Sequence, residues 1–394
     1  VVTLVGFAVI GAACTGRRRM AAVDIFAGWG AVILFFVIAG VFTGINFRWL
    51  AYGFFAAAGL ASWFVILRDK RHGKIIANAD NVWRILVLAI PLLLLVSAMR
   101  ASQWDEFSQW LPNAQFLFQF DAFPHSDLPK SPSALPAYPY GLPLVTYLTS
   151  TLAGKFVENT SAIFNLLLLF FFAATLSQVI SGALGKGKAF SHRWGLLALC
   201  MLGVTILSTT FVQKIVLTSY SDSTTSVTMA MIAVLLWKLL NRLADQSQAA
   251  DIKAKSRSYA WQAGLVIAAF LFLKQTNLVL LVLMLVGLLV VVIRDPAIRL
   301  TDFLKLCLPL LLPGIVTYIA WRYHVGQHLS YGEISLLPFE KWLLDDAFTI
   351  LARMSSIAAK KASYFILMLT IAVFAIRGIM KTIGPTERLL IPIA

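Results

Sequence analysis

Charged side chains are scarce in this chain. Of its 394 residues only 13% are Asp, Glu, Lys or Arg, whereas about a quarter of the residues of a soluble protein are charged. This composition argues strongly against a soluble globular enzyme. Hydrophobic residues make up 59% of the chain, and many membrane spans would absorb them without an enormous buried core.

Cysteines and the common nucleotide or hydrolase motifs are also scarce or missing. The three cysteines, Cys14, Cys200 and Cys307, all lie in apolar runs, which disfavours a disulfide framework and a cysteine metal site. The sequence contains no Walker motif, no GxGxxG after a strand, no GxSxG and no HExxH. A nucleotide site is therefore unsupported. Any group transfer would draw on another activated substrate, such as a lipid.

Apolar runs recur along the sequence at lengths near the ~20 residues that cross a ~30 Å hydrocarbon layer. They predict an all-α polytopic membrane protein with about 11–12 transmembrane helices. Because the chain starts and stops inside apolar runs, we expect a fragment with a truncated C-terminus. Two polar intervals, 101–158 and 321–360, interrupt the series. The candidate spans are 1–16, 24–44, 49–67, 83–100, 160–183, 194–212, 223–241, 259–273, 277–293, 303–320, 361–377 and one starting near 388.

The orientation of the later spans depends on whether residues 142–154 cross the membrane. If this segment does not cross, 22 of the 33 basic residues fall on one side. If it crosses, the asymmetry reverses halfway along the chain. The positive-inside rule favours the first arrangement. We therefore expect 142–154 to be a helix that lies on or dips into the membrane interface, with the polar intervals 101–158 and 321–360 facing outward.

The same distribution accounts for the formal net charge of +15. Most of the excess lies in short loops on the expected cytoplasmic side. It is not a basic stripe interleaved with aromatic residues, which a nucleic-acid surface requires. We therefore expect no nucleic-acid partner.

The first candidate site follows the 83–100 run. Asp105 and Glu106 are adjacent carboxylates flanked by aromatic residues at the expected membrane surface, where unpaired charges are expensive to desolvate. A carboxylate there can act as a general base on a hydroxyl or amine, or hold a divalent cation. A solvated acidic pair in an interfacial aromatic belt is the alternative.

Two further candidates are Asp222 and Lys274. Asp222 stands at the start of the 223–241 run, where it can also serve as a helix N-cap. Lys274 interrupts two apolar runs, either as a snorkelling lysine in a tight helical hairpin or as a cation suited to a lipid phosphate.

The second outward interval holds His324 and His328, whose i, i+4 spacing can place both on one helix face for a metal. No matching Glu or Cys signature accompanies them, so the metal remains unknown. Arg322 lies two residues before His324.

The order of these features resembles the GT-C superfamily of glycosyltransferases that use polyprenyl-phosphate sugars. The nearest likeness is to the branch of protein O-mannosyltransferases and lipid A aminoarabinose transferases. Residues 137–144, AYPYGLPL, look like the "YPPGYPL" stretch of that branch. Residues 216–222 look like its Asp-bearing start of a middle span, and 271–275, LFLKQ, are similar to its "LTKG" turn.

The sequence departs from these motifs at three positions. Tyr140 stands where a second Pro is common, Leu273 replaces Thr, and Gln275 replaces Gly. The likeness covers about residues 83–320, and residues 1–82 have no counterpart in the pattern. We therefore expect additional N-terminal transmembrane helices in 1–82 and a GT-C-like transmembrane catalytic domain in 83–394, with juxtamembrane helices in its first outer loop.

The resemblance implies an integral membrane glycosyltransferase at the extracytoplasmic face of the cytoplasmic (inner) membrane. It would move a sugar from a polyprenyl-phosphate donor to an envelope acceptor, which can be a lipid, a glycan or a protein. Asp105 would be the general base. Glu106 would orient the acceptor or a divalent cation, the one cofactor considered, and Asp222 would orient the acceptor or the base.

The resemblance also gives roles to the remaining candidates. Lys274 would contact the donor phosphate, with Arg322 and Lys214 as weaker candidates from other outer loops. Tyr138 and Tyr140 would line the cavity or anchor the interfacial helix, and His328 would line the cavity.

Two readings from other classes stay open. A membrane transporter or lipid flippase would also explain the spans and the charges at their edges, but it predicts ionisable groups near span centres and inverted repeats. A non-catalytic membrane assembly subunit is the third reading, and it predicts no outer cavity near Asp105.

Overall fold

The computed structural model describes residues 1–16, 19–70, 75–185, 194–206, 217–245, 249–329, 338–359 and 362–394. About 80% is helix, and no strand occurs in these ranges. The first eight helices are α1 Val2–Thr15, α2 Asp24–Phe42, α3 Phe47–Lys70, α4 Ile75–Ala98, α5 Leu111–Phe120, α6 Gly141–Ala153, α7 Thr160–Ala183 and α8 Trp194–Ile206. The remaining helices are α9 Ser221–Ala244, α10 Ala249–Leu271, α11 Asn277–Arg294, α12 Leu300–His328, α13 Ala347–Ala359, α14 Ala362–Met380 and α15 Glu387–Ile393.

Six described helices are long and apolar enough to cross a membrane. Several other hydropathy runs form shorter apolar helices, including α1 and α8. Many large apolar side chains on α3, α11, α12 and α14 are exposed, which in a soluble protein would be an aggregation liability. The expected all-α polytopic membrane architecture is therefore present. The six helices are Ala21–Phe42, Phe47–Leu67, Thr160–Ala183, Ser221–Ala244, Asn277–Arg294 and Leu300–His328.

Helix α10 is the centre of the bundle. Its second half, 260–271, is apolar apart from Gln262, and nearly every side chain there is buried, as expected for a helix enclosed by others. It packs against α2, α9 and α12. The N-terminal helices α1 and α2 thus share one hydrophobic core with α9–α12, although the sequence resemblance covers only the later part of the chain.

A second, smaller core joins α4, α7 and α8. Helix α7 contacts the main core on one side and this smaller core on the other. Between α7, α8 and α9 an apolar cavity of about 460 Å³ remains.

The first long polar interval, 101–158, starts and ends at the same end of the bundle. The side-chain amide of Asn159, directly before α7, donates to the carbonyls of Val96, Ser97 and Met99 at the end of α4, at 2.8–3.1 Å. The interval contains two helices, α5 and α6, as expected. Helix α6 is about 20 Å long at 1.5 Å per residue, too short to span a hydrocarbon core, and its side chains are almost all buried.

The second polar interval differs from its expected bounds. The sequence predicted a loop from residue 321, but α12 continues through His328. Residues 321 and 324 are buried in the bundle, so packing extends the helix beyond its most apolar segment. Residues 338–346 form a short 3-10 turn and bends before α13.

Candidate functional site

The start of α9 is held against α7 and the 101–110 loop. The side-chain amide of Asn165, in the second turn of α7, donates to the carbonyls of Thr218 and Tyr220 at 2.9 and 2.8 Å. The hydroxyl of Thr224 donates to the Asn165 side-chain carbonyl. These bonds fix the turn that carries Asp222.

The structure brings Asp222 and Lys274 together as an ion pair. Lys274 Nζ donates to Asp222 Oδ1 at 2.7 Å, and the side chains are 20% and 42% exposed, respectively. The pair therefore lies at an accessible surface. Lys274 stands in the turn between α10 and α11, where Asn277 donates to the carbonyl of Phe270 at 2.7 Å. The rigid central helix thus places the cation.

Asp105 and Glu106 occupy a π-helical turn, Glu106–Trp110, and its N-cap. Glu106 is 3% exposed. One carboxylate oxygen accepts the backbone N–H groups of Ser102 and Gln103 at 2.9 and 3.2 Å, and the other accepts that of Ser219 at 2.8 Å. Glu106 therefore ties this turn to the segment before α9.

Two tyrosines connect Asp105 with the ion pair. The Asp105 backbone N–H donates to the Tyr220 hydroxyl oxygen at 3.1 Å. Burial raises the pKa of Tyr138, and the negative charges of Asp222 and Asp105 raise it further. Tyr138 is thus close enough to both carboxylates to sense their charge, and it stays protonated near neutral pH.

Burial also raises the pKa of Tyr220, and the charges of Asp105 and Glu106 act in the same direction, whereas the Asp105 N–H that donates to its oxygen lowers it. Both tyrosines therefore offer neutral hydroxyl groups between the carboxylates. They can donate to an oxygen-rich ligand without adding charge.

Tyr140 belongs to the core and does not line a cavity. It is fully buried, and its hydroxyl donates to Asn113 Oδ1 at 3.2 Å and to the Pro136 carbonyl at 3.1 Å. Its ring packs edge-on against Trp321, with centroids 5.5 Å apart. Of the two roles expected for this residue, the structure fits the anchoring of α6, which begins at the next residue.

The 137–144 segment is joined directly to the turn that carries Lys274. The Gly141 N–H donates to the Phe272 carbonyl at 2.9 Å, and a Cβ at position 141 would lie 2.5 Å from that carbonyl oxygen. Trp321 packs edge-on against Phe272 at 5.3 Å and donates its indole N–H to the Ala137 carbonyl at 3.2 Å. Two of the quoted motifs are thus neighbours in space.

The other candidates lie elsewhere or outside the described residues. Arg322 is half-buried on α12, one residue after Trp321. Lys214 and Val216 lie outside the described ranges, so the role of Lys214 remains a prediction. His328 is exposed at the end of α12, with its ring centroid 5.0 Å from His324 and 6.0 Å from His125.

These residues give limited support for a metal. His324 Nε2 is 2.9 Å from the Pro124 carbonyl oxygen, and among the described residues no group of three or more His, Cys, Asp or Glu side chains has an arrangement that could hold an ion. A divalent cation at Asp105 and Glu106 would compete with the three N–H donors of Glu106.

The sequence patterns assigned no role to Asn165, Tyr220 or Trp321. Asn165 is a polar residue within an apolar span, a type of position that is often functional or structural in membrane proteins. Tyr220 could have been found from its place beside Asp222 at a helix start. Trp321 carried no local signal, because its role depends on contacts with Ala137 and Phe272, which are remote in sequence.

The fold and site define an α-helical polytopic membrane protein with a cluster of carboxylate, ammonium and tyrosine groups at one end of its bundle. Comparison of the chain with protein-family models, curated proteins and solved structures finds no match.

Proposed function

We propose that the protein is a membrane glycosyltransferase of the GT-C type, which moves a sugar from a polyprenyl-phosphate donor to an acceptor of the cell envelope. The observation that carries this proposal is the Asp222–Lys274 ion pair, with Tyr138 within electrostatic reach of both Asp222 and Asp105. A cation next to carboxylates, at the end of an apolar bundle, suits a substrate with one charged phosphate on a lipid.

Asp105 is the general base in this proposal. It is half-buried at the start of the π-helical turn and is held by its own backbone bond to Tyr220. The acceptor hydroxyl or amine gives its proton to the Asp105 carboxylate while its oxygen or nitrogen attacks the anomeric carbon of the sugar. One displacement suffices, so no second carboxylate nucleophile is needed.

The bond between the anomeric carbon and the phosphate oxygen breaks as the new bond forms. Its electron pair stays on the phosphate, which leaves as polyprenyl phosphate with one more negative charge. Lys274 neutralises that charge. Removal of one preorganised donor of this kind typically costs about 3 kcal/mol of transition-state stabilisation.

Asp222 and Glu106 position other groups of the site in this proposal. Asp222 holds the Lys274 ammonium through the 2.7 Å contact and exchanges part of that contact for the phosphate when the donor binds. Glu106 joins the turn of Asp105 to the start of α9, so its carboxylate fixes the spacing between base and ion pair. We therefore assign Glu106 to positioning and not to acceptor binding.

The general base is tested by Asp105→Asn in the purified protein, assayed with a panel of polyprenyl-phosphate sugars and envelope acceptors. Replacement of a general base lowers kcat by about 100- to 10,000-fold, and we expect a loss in this range with little change in thermal stability.

The matched control is Asp127→Asn, which removes an acid from the same polar interval. The Asp127 side chain is 87% exposed, and its Oδ2 is 3.7 Å from Nδ1 of His125. The transfer rate of the Asp127→Asn variant should equal that of the wild type. Equal rates for Asp105→Asn and the wild type would remove Asp105 from the base role, and no transfer by the wild type with any donor would contradict the proposed activity.

A further inference from the structure

The turn that carries the proposed base has a buried side and an exposed side. Glu106, Gln109 and Trp110 are buried, whereas Trp104 is 81% exposed and Phe107 is 57% exposed. No other described tryptophan is as exposed as Trp104. We call the pair of Trp104 and Phe107 the aromatic platform, and it flanks the base on both sides in the sequence.

The backbone that carries the aromatic platform is held at both ends of the turn. The Asp105 N–H donates to the Tyr220 hydroxyl oxygen at 3.1 Å, and the Ser108 carbonyl accepts the N–H of Ala134 at 2.8 Å. A surface that is already ordered loses less entropy when a ligand binds. The two exposed rings are therefore presented by a fixed turn.

The surroundings of the platform differ from those of an aromatic residue that faces lipid. Trp63 on α3 is 67% exposed and is followed by the exposed Phe64 in an apolar helix, which suits the membrane and its interface. Trp104 instead lies between Gln103 and Asp105, both half-buried. An exposed ring with polar neighbours favours a ligand that has one apolar face and a polar rim.

A sugar ring has this combination of surfaces. Its C–H groups form an apolar face that can stack on the negative π face of an aromatic ring, while its hydroxyl groups project from the rim. The Asp105 carboxylate and the Tyr220 hydroxyl lie beside the platform and can pair with rim hydroxyls. A largely apolar surface with a few placed polar groups is the usual composition of a small-molecule site.

The two other classes of acceptor fit this surface less well. An extended peptide is often bound through main-chain hydrogen bonds to the edge of a sheet, and the described part of the chain contains no strand. A lipid acceptor needs a continuous apolar surface that leads to the base, whereas Ser102 and Gln103 precede the platform with polar side chains.

We propose that the aromatic platform stacks a sugar ring of the acceptor, so that the acceptor is a glycan and its nucleophile is a ring hydroxyl. The inference rests on the proposed function for the role of Asp105. The hydroxyl gives its proton to the Asp105 carboxylate, and its oxygen forms the bond to the anomeric carbon as the phosphate leaves. Trp104 takes no part in this bond exchange and determines which acceptor is bound.

The experiment measures glycan binding to the purified protein in the absence of any donor, by saturation-transfer NMR titration. The probes are pentasaccharides of mannose, galactose, arabinose and glucose. We expect at least one of them to bind the wild type, and Trp104→Ala to weaken that binding by about tenfold or more, as removal of an aromatic anchor does. Trp104→Phe keeps a ring and should lose less, and both variants should keep the wild-type Tm because the indole is exposed.

Trp63→Ala is the matched control, because it removes an exposed tryptophan from a helix that faces lipid, and it should bind the pentasaccharides as the wild type does. Equal binding by the wild type and Trp104→Ala would overturn the inference and return Trp104 to an interfacial aromatic belt. Absence of binding by all four pentasaccharides would also overturn it, as would a Ser- and Thr-rich nonapeptide that binds in their place and depends on Trp104.

These outcomes are distinct from those of the proposed function. Pentasaccharide binding that depends on Trp104, without transfer from any polyprenyl-phosphate sugar, would leave the glycan site standing and remove the glycosyltransferase. Transfer to a lipid or peptide acceptor at an equal rate in the wild type and Trp104→Ala would do the reverse.

Discussion

At the residue scale, the two site tyrosines are the groups whose chemistry the structure defines most closely. Tyr138 is 6% exposed and packs edge-on against Trp110, with ring centroids 5.8 Å apart. Its hydroxyl lies in the field of two carboxylates, which disfavours the phenolate. The phenol therefore stays neutral near neutral pH and can donate a hydrogen bond.

The raised pKa of Tyr138 predicts a dependence of stability on alkaline pH. Below the unfolded-state value of about 10 the phenol is protonated in both states, and its contribution to the free energy of unfolding is fully present. As the pH rises toward the folded-state value, only the unfolded chain ionises, so that contribution is lost. The Tm of the wild type should therefore fall more steeply above about pH 10 than that of Tyr138→Phe.

The measurement is thermal unfolding in detergent across that pH range. Tyr52→Phe, which removes a half-exposed tyrosine on α3, is the control and should follow the wild-type curve. Parallel curves for the wild type and Tyr138→Phe would contradict the arrangement of charges around Tyr138.

At the element scale, one buried carboxylate joins two loops that are 113 residues apart. Glu106 accepts three backbone N–H groups, two from Ser102 and Gln103 just before its turn and one from Ser219. Because unpaired N–H groups are costly in a protein interior, the acid is the acceptor that lets these segments meet. Glu106, unlike the half-buried Asp105 next to it, therefore has a structural role.

Glu106→Gln should destabilise the protein although it preserves shape. The amide has one acceptor oxygen where the carboxylate has two, so at least one buried N–H loses its partner, at a cost of about 1–3 kcal/mol. Thermal unfolding measures the loss, and hydrogen exchange at 217–222 should rise with it.

Glu158→Gln is the control for this substitution. Glu158 accepts one backbone N–H, that of Ala101, at 2.8 Å, and the amide oxygen of Gln can take over that bond. An unchanged stability of Glu106→Gln with a higher acceptor KM would instead favour direct acceptor binding by Glu106.

Sequence patterns predicted the elements better than their surroundings. The short segment 142–154 was expected to form a helix, and α6, Gly141–Ala153, confirms the helix. Its burial among α1, α3, α5 and α7 was not predictable, since these neighbours come from distant parts of the chain. The same reason explains why Tyr140 was a candidate for lining a cavity and is a core residue.

At the scale of the whole molecule, the N-terminal helices and the site share one packed core. Gly30 of α2 lies against the backbone of Leu265 on α10, so closely that a Cβ at position 30 would be 1.8 Å from the Leu265 carbonyl oxygen. Helix α10 ends at the turn that carries Lys274. The packing of α2 therefore contributes to the position of the ammonium group.

Gly30→Ala should separate α2 from α10 and destabilise the entire bundle. Forcing an extra methyl group into a close-packed contact costs typically about 1–3 kcal/mol, and a clash with rigid backbone lies at the upper end. We expect a lower Tm and a weaker affinity for decaprenyl phosphate, measured on the same preparations.

Gly53→Ala on α3 provides the comparison, because a Cβ at Gly53 meets nothing within 4 Å and the substitution favours a helix. Similar stability for Gly30→Ala and Gly53→Ala would show that residues 1–82 fold independently of the bundle that holds the site.

The sequence alone determined that this chain is built for a membrane and not for water. With 59% hydrophobic and 13% charged residues, the backbone must satisfy its hydrogen bonds within helices, and the charges must collect at helix ends. Asp105, Asp222 and Lys274 could be selected on these grounds, because each interrupts or borders an apolar run. The tertiary structure decided which of them meet. The 2.7 Å contact between Asp222 and Lys274, the anchoring of Glu106 and the apolar cavity between α7, α8 and α9 all depend on helix packing between remote segments, which no local pattern encodes.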